Sequence, residues 1–284
     1  MFETFQNRLK ITGKICAQTA LHIGAAEQEF APGGARNPFL RNALGFPFIP
    51  GASLKGVMRS FMEQLFAERE QGAKLAGVDT EAWVSVCTIS EQCIDKSSKK
   101  KNEKSEMFSK LLEKYGNTHD GDDEKAYVKF IEDNTCMVCH LFGSQVNGAK
   151  LLVRDAIVYE DSYNGDFELR TGVSIDRELG RAVQGRFYDF EVVPQGTEFQ
   201  FCMVAENLND NEWQCLRVLL RAMGMGFLSV GGMTSRGLGS FTLEDVKIQL
   251  LDKNNLVNTL LCEQEPEPVT LDNFVILGGL QDES

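Results

Sequence analysis

Three observations predict an α+β fold for this sequence. Apolar residues alternate with polar ones from Leu9 to Thr19, the period of a half-buried strand. They recur at helical spacing at Leu54, Val57, Met58 and Phe61, and again at Leu216, Leu219, Leu220 and Met223. The order along the chain reads strand, helix, insertion, strand, projecting hairpin, strand, helix, strand, close to a βαββαβ ferredoxin-like unit with outgrowths.

Each element has a local reason. The first strand is expected over Leu9–Ile23, and Pro32, Gly33 and Gly34 make 24–37 a loop. In Phe46–Phe61, Pro47, Pro50 and Gly51 hold the chain out of a helix, and Ser53 stands where an N-cap belongs. The helix so begun is expected to run to about Glu70. The stretch from Gly72 to about His140 reads as an insertion with one short helix near Phe108–Tyr115. It carries the run Lys99, Lys100, Lys101 and the acidic patch Asp120, Asp122, Asp123, Glu124, and a lysine run of this kind is more often solvated than bound. Leu151–Tyr159 is a strand candidate with Arg154 and Asp155 inside it. Residues 170–190 hold a projecting hairpin, too rich in arginine for core. Phe187–Val204 is further strand, turning at Pro194-Gln195-Gly196. Trp213–Phe227 is the second helix, Ser229–Ser240 a glycine-rich loop and Phe241–Leu251 the last strand. Residues 252–284 form an acidic tail in which Phe274–Leu277 is apolar enough to dock. With no internal repeat, residues 1–284 read as a single domain.

The net charge of −12 on 284 residues argues against a nucleic-acid partner, but its distribution argues the other way. Between Phe30 and Met62 stand Arg36, Arg41, Lys55 and Arg59 without an acid, and Arg170, Arg177, Arg181 and Arg186 cluster later. The acids gather elsewhere, so a basic groove on an acidic body is expected. No stretch is long and apolar enough for a bilayer, and the N-terminus lacks an apolar signal core, so the expectation is a cytoplasmic protein without membrane contact.

Lys55 and Arg59, four apart, share a helix face beside a helix start, an arrangement suited to a phosphate backbone and equally to a solvated surface helix. The loop from Gly231 and Gly232 through Ser235, Arg236 and Gly237 reads as a phosphate cradle or a tight turn, and it is not a Walker loop. Four of the eight cysteines suggest a metal site: Cys136 and Cys139 in a Cys-x-x-Cys, with Cys87 and Cys93 before it. Four thiolates suit a structural zinc with Zn–S bonds of about 2.3 Å, with His140 as a substitute ligand. Cys16, Cys202 and Cys215 sit among apolar neighbours and read as core. No nucleophilic triad or paired catalytic carboxylates stand out among His22, His119, His140 and the acids.

Four ordered motifs together resemble the RAMP superfamily, and more narrowly the backbone subunit of type III CRISPR effector complexes. They are Phe48–Arg59, Cys136–Gly143, Arg170–Arg177 with Val192–Phe199, and Gly231–Gly239. The resemblance implies an RNA-recognition-motif-like core that binds a guide crRNA and pairs it with a complementary target RNA. It implies assembly with other RAMP subunits and head-to-tail stacking of copies. Ser53, Lys55, Arg59, Arg236 and its glycines would touch guide phosphates, and the arginine hairpin would be the thumb that wedges the guide–target duplex. Target-cleaving members carry an Asp two residues before a proline in the first loop. Here that place, before Pro38, holds Arg36, which is neither a base nor a metal ligand near neutral pH. The expectation is binding without cleavage there. The alternative is an active endoribonuclease subunit that cleaves target RNA or processes precursor crRNA, with Glu27 and Glu29 as the nearby carboxylates that could stand in for the Asp. A zinc-stabilised protein unrelated to RNA is the third reading.

Overall fold

The computed structural model describes residues 4–25, 37–77, 85–87, 93–94, 103–115, 121–176, 178 and 180–277. The first strand, β1 (Asn7–Ala17), buries Leu9, Ile11 and Ile15 on one face and leaves Arg8 and Lys10 on the other, as period-two patterning requires. A short β2 (Phe48–Ile49) leads into α1 (Gly51–Leu65), which turns Leu54, Met58 and Met62 to the core. A turn at Phe66 separates it from α2 (Arg69–Ala76), so the single helix expected to about Glu70 is two. Glu68 caps α2 by accepting from the N–H groups of Glu70 and Gln71, and Gly77 ends it in the left-handed region.

Among the described residues three helices follow where one was expected: α3 (Glu103–Tyr115), α4 (Gly121–Asn134) and α5 (Met137–Phe142). The chain returns as β3 (Leu151–Val153) and β4 (Ala156–Ile157). The strand expected over Leu151–Tyr159 is therefore broken at Arg154-Asp155, and β4 leaves the main sheet to pair with β2. Next come β5 (Glu168–Ile175) and β6 (Ala182–Val192), an antiparallel hairpin that forms its own two-stranded sheet. After the turn at Pro194 come β7 (Glu198–Glu206), α6 (Asp210–Gly224) and β8 (Phe241–Asp252). The tail holds α7 (Leu256–Cys262), β9 (Val269–Thr270) and α8 (Leu271–Leu277).

The main sheet has the order β3-β7-β1-β8-β9, with every neighbouring pair antiparallel. One buried cluster joins Leu9, Ile11 and Ile15 to Leu54 and Met58 of α1 and to Leu216, Leu219 and Met223 of α6. Both helices thus cover the same face of the sheet. Ala73 and Ala76 of α2 are also fully buried in this cluster. Phe274 of α8 docks beside Trp213, with ring centroids 5.6 Å apart, which is the docking expected for the apolar end of the tail. Cys16 and Cys215 are buried, but Cys202 lies half-buried on the sheet face opposite α1 and α6, because its position in β7 alternates away from Phe201 and Met203. No described helix is long and apolar enough to cross a membrane.

Candidate nucleic-acid interface and thiol cluster

The start of α1 differs from the expectation. Pro50 is the N-cap, and Ser53 lies inside the first turn with its N–H donated to the Pro50 carbonyl at 2.9 Å. The helix begins early because Gly51 fits against the backbone of Val153 and Arg154, where a β-carbon would overlap. The carboxylate of Asp155 then accepts the Gly51 N–H at 2.8 Å. A residue from the far side of the insertion therefore neutralises this helix end. The polar pair inside an apolar run, Arg154-Asp155, was the one sequence signal for it.

Lys55 is half-buried and forms no ion pair among the described residues. Burial lowers its pKa below the usual lysine value, and the neighbouring Arg59 charge lowers it further. Arg59 is committed elsewhere. Its Nε donates to Glu63 at 2.8 Å, Nη1 to the Gly143 carbonyl at 2.9 Å, and Nη2 faces the Cys139 Sγ at 3.8 Å.

The glycine loop is held by the end of the first strand region. Gly232 donates to the His22 carbonyl at 2.8 Å and Gly239 to the Ala20 carbonyl at 2.9 Å. Gly231, at φ 92°, lies so close to the His22 carbonyl that a β-carbon would overlap it. The two glycines thus serve an approach to the chain's own backbone. Ser235, Arg236 and Gly237 remain exposed at a short 3-10 turn, Thr234–Arg236. Arg236 lies over the ring of Tyr188 in β6, 5.6 Å from its centroid, and donates to its hydroxyl. Tyr188 in turn covers Gly172 across the hairpin and stacks on Phe190, which meets His22 edge-on at 5.4 Å. Tyr188 is a contact the sequence reading missed, because only the strand register Gly172↔Tyr188 reveals it.

The hairpin is two-faced. Tyr188, Phe190 and Val192 point to the body, while Leu169, Val173 and Phe187 are 60%, 42% and 58% exposed on the other side. Arg170 is exposed and pairs with Glu168 at 3.2 Å, and Arg181 is exposed beside the turn at Gly180. The structure does not bring Lys55 next to Arg236. The first turn of α1 abuts Val153, level with Ile11 through Met203, whereas the glycine loop enters β8 at Phe241, level with Ala17. Six residues of strand separate these levels, about 20 Å. Arg177, Arg36, Glu27, Glu29 and the run Lys99–Lys101 lie outside the described residues, as does the side chain of Arg186.

Cys87, Cys93, Cys136 and Cys139 gather as the sequence reading grouped them. All are buried, with their sulfurs within 4.8 Å of one another. Cys87 and Cys139 are 3.3 Å apart and Cys87 and Cys136 3.8 Å. A tetrahedron with bonds of about 2.3 Å has edges of about 3.8 Å, so the donor set fits a four-thiolate metal ion. Hydrogen bonds from Cys139, Cys87 and Cys93 hold the Cys136 thiol far below its usual pKa. His140 is not part of the set. Its Nδ1 faces the buried Glu212 at 3.7 Å, and burial lowers its pKa. Glu212 takes the Lys150 Nζ at 2.7 and 2.6 Å and the Asn209 N–H of its own capping box at 2.9 Å. These contacts tie α5, β3 and α6 together beside the thiols.

The model of the RAMP superfamily matches residues 14–242. Three similar proteins share the name CRISPR system Cms endoribonuclease Csm3. The one from Methanocaldococcus jannaschii is 23% identical over 256 residues, covering 86% of this chain and 82% of its own length. That from Methanothermobacter thermautotrophicus is 26% identical, covering 86% and 87%, and that from Streptococcus thermophilus is 24% identical, covering 89% and 94%. The family match runs from within β1 to the start of β8 and takes in β3, β7, both core helices, the hairpin, the thiol cluster and the glycine loop, and the chain belongs to the RAMP superfamily.

Proposed function

We propose that this protein is a crRNA-binding backbone subunit of a type III CRISPR interference complex, which holds guide phosphates and wedges the guide–target duplex. The observation that carries the reading is the hairpin β5–β6. Its outward face carries the exposed apolar side chains Leu169, Val173 and Phe187, with Asp189 and Glu191 on the same face nearer the body, and the hairpin is joined to the exposed cation of the glycine loop through Tyr188 and Arg236. An apolar wedge beside a phosphate-binding loop suits a protein that reads backbone and leaves sequence to pairing. Lys55, Arg170, Arg181, Arg186 and Arg236 are the proposed cations, with Arg177 among the residues not described. Names of the similar proteins support the CRISPR setting.

The sheet order β3-β7-β1-β8, with α1 and α6 on one face, supports the ferredoxin-like, RNA-recognition-motif-like core. The ion suited to four buried thiolates is zinc, in a structural role, because no coordination position is left open. The partners are crRNA, its target RNA, other RAMP subunits and further copies head to tail, in the cytoplasm. Lys55→Gln and Arg236→Gln are each expected to weaken guide binding for every sequence and to reduce the salt slope by about 0.7 per lost contact. Unchanged slopes in both variants would count against the reading.

A second reading, an active endoribonuclease, is favoured by the names of the similar proteins. Arg36 argues for binding without cleavage at that position. Complementary target RNA is expected to remain intact with the wild-type complex and to be cut once Arg36→Asp is introduced. Regular cutting by wild type supports the second reading instead.

A further inference from the structure

We propose that Arg59 belongs to the metal centre, as its outer-sphere cation, and that it couples metal occupancy to the position of the RNA-facing helix α1. This rests on the four-thiolate reading above. Three donors of one guanidinium are engaged. Nη2 faces the Cys139 Sγ at 3.8 Å, Nη1 donates to the Gly143 carbonyl at 2.9 Å, and Nε donates to Glu63 at 2.8 Å. Cys139 and Gly143 lie in and just after α5, the short helix that begins directly after Cys136, so Arg59 grips the metal-bearing turn at two points. Glu63, one turn along α1, fixes the fork from behind.

Charge explains why a cation belongs there. A divalent ion with four thiolates carries a net charge of −2, and all four sulfurs are buried. Among the described residues, Arg59 is the cation that reaches a cluster sulfur. Lys150 is spent on both oxygens of Glu212, and His140 is turned to the same carboxylate. Hydrogen bonds to metal-bound sulfur fix the ligand and stabilise its anionic form. Lys55 lies one turn before Arg59 on the same face of α1, so whatever holds Arg59 also sets where Lys55 points.

The test separates a metal role from a phosphate role. Arg59→Gln and Arg59→Lys are compared with wild type in the full chain. Metal release to a chromogenic chelator and guide RNA affinity across a salt series are both measured. Arg59→Gln is expected to release the ion about 10- to 100-fold faster, with Arg59→Lys in between. RNA binding by Arg59→Gln should weaken with the slope of log K against log salt preserved. A slope reduced by about 0.7, with metal release unchanged, assigns Arg59 to a phosphate and overturns the proposal. Should Arg59→Gln fold poorly, cobalt-substituted Arg59→Lys gives the second readout, since a changed thiolate-to-cobalt absorption band marks a changed sulfur environment. An identical band in a folded variant overturns the proposal. Wild type purified without any metal instead removes the four-thiolate reading on which it stands.

Discussion

Glu212 is fully buried, and its carboxylate accepts Lys150 on both oxygens while closing the capping box of α6. Lys150 itself has a side chain only 7% exposed. Lys150→Met would leave a buried carboxylate without its cation, a defect that costs about 3–5 kcal/mol. Chemical denaturation should register that loss. Lys150→Met with Glu212→Gln should recover most of it, because glutamine keeps the capping-box bond and carries no charge. Nothing in the sequence marks this pair, since the two residues stand 62 positions apart. The cysteine set was legible, because a Cys-x-x-Cys fixes two ligands on one turn and buried free thiols elsewhere had apolar neighbours to identify them. The Ser53 cap was misread for a physical reason: Asp155, 104 positions away, supplies the acceptor and lets the helix start at Gly51.

Elements with an unbroken period were readable. α6 stands within a few residues of its expected place, and so do the turn at Pro194 and the strand β8, whereas β1 stops at Ala17, short of the expected Ile23, and Leu21 beyond it only bridges to Val193. Elements set by tertiary contact were not. α2 depends on burial of Ala73 and Ala76 in the core, and α4 begins inside an acidic patch that reads as loop. The hairpin was expected from its arginines, yet its body-facing side is organised by an aromatic over a glycine. Gly172→Val should push the Tyr188 ring aside and unseat Arg236. Guide affinity is then expected to fall by about tenfold, the equivalent of one charge-assisted contact. The thermal midpoint should hardly move, because the hairpin lies outside the main sheet. Loss of stability with full affinity retained would refute that assignment.

Across the whole molecule, the thiol cluster joins residues on both sides of α3 and α4 to the body. An ion present at 100 times its dissociation constant adds about 2.7 kcal/mol to whatever it holds folded. Chelation should therefore raise hydrogen exchange in α3 and α5 by about a hundredfold and leave β1, β7 and β8 protected. Uniform exchange across the chain would mean that the cluster does not anchor this region.

The main sheet is bordered by β3 and β9, strands of three and two residues, and longer strands run only in its interior. β9 pairs with only Lys247 and Ile248 of the twelve-residue β8, so among the described residues most of that border has no further strand beside it. Charge guards it instead: Glu244, Asp245 and Lys247 are exposed along this border and discourage a strand from outside from adding itself to the sheet.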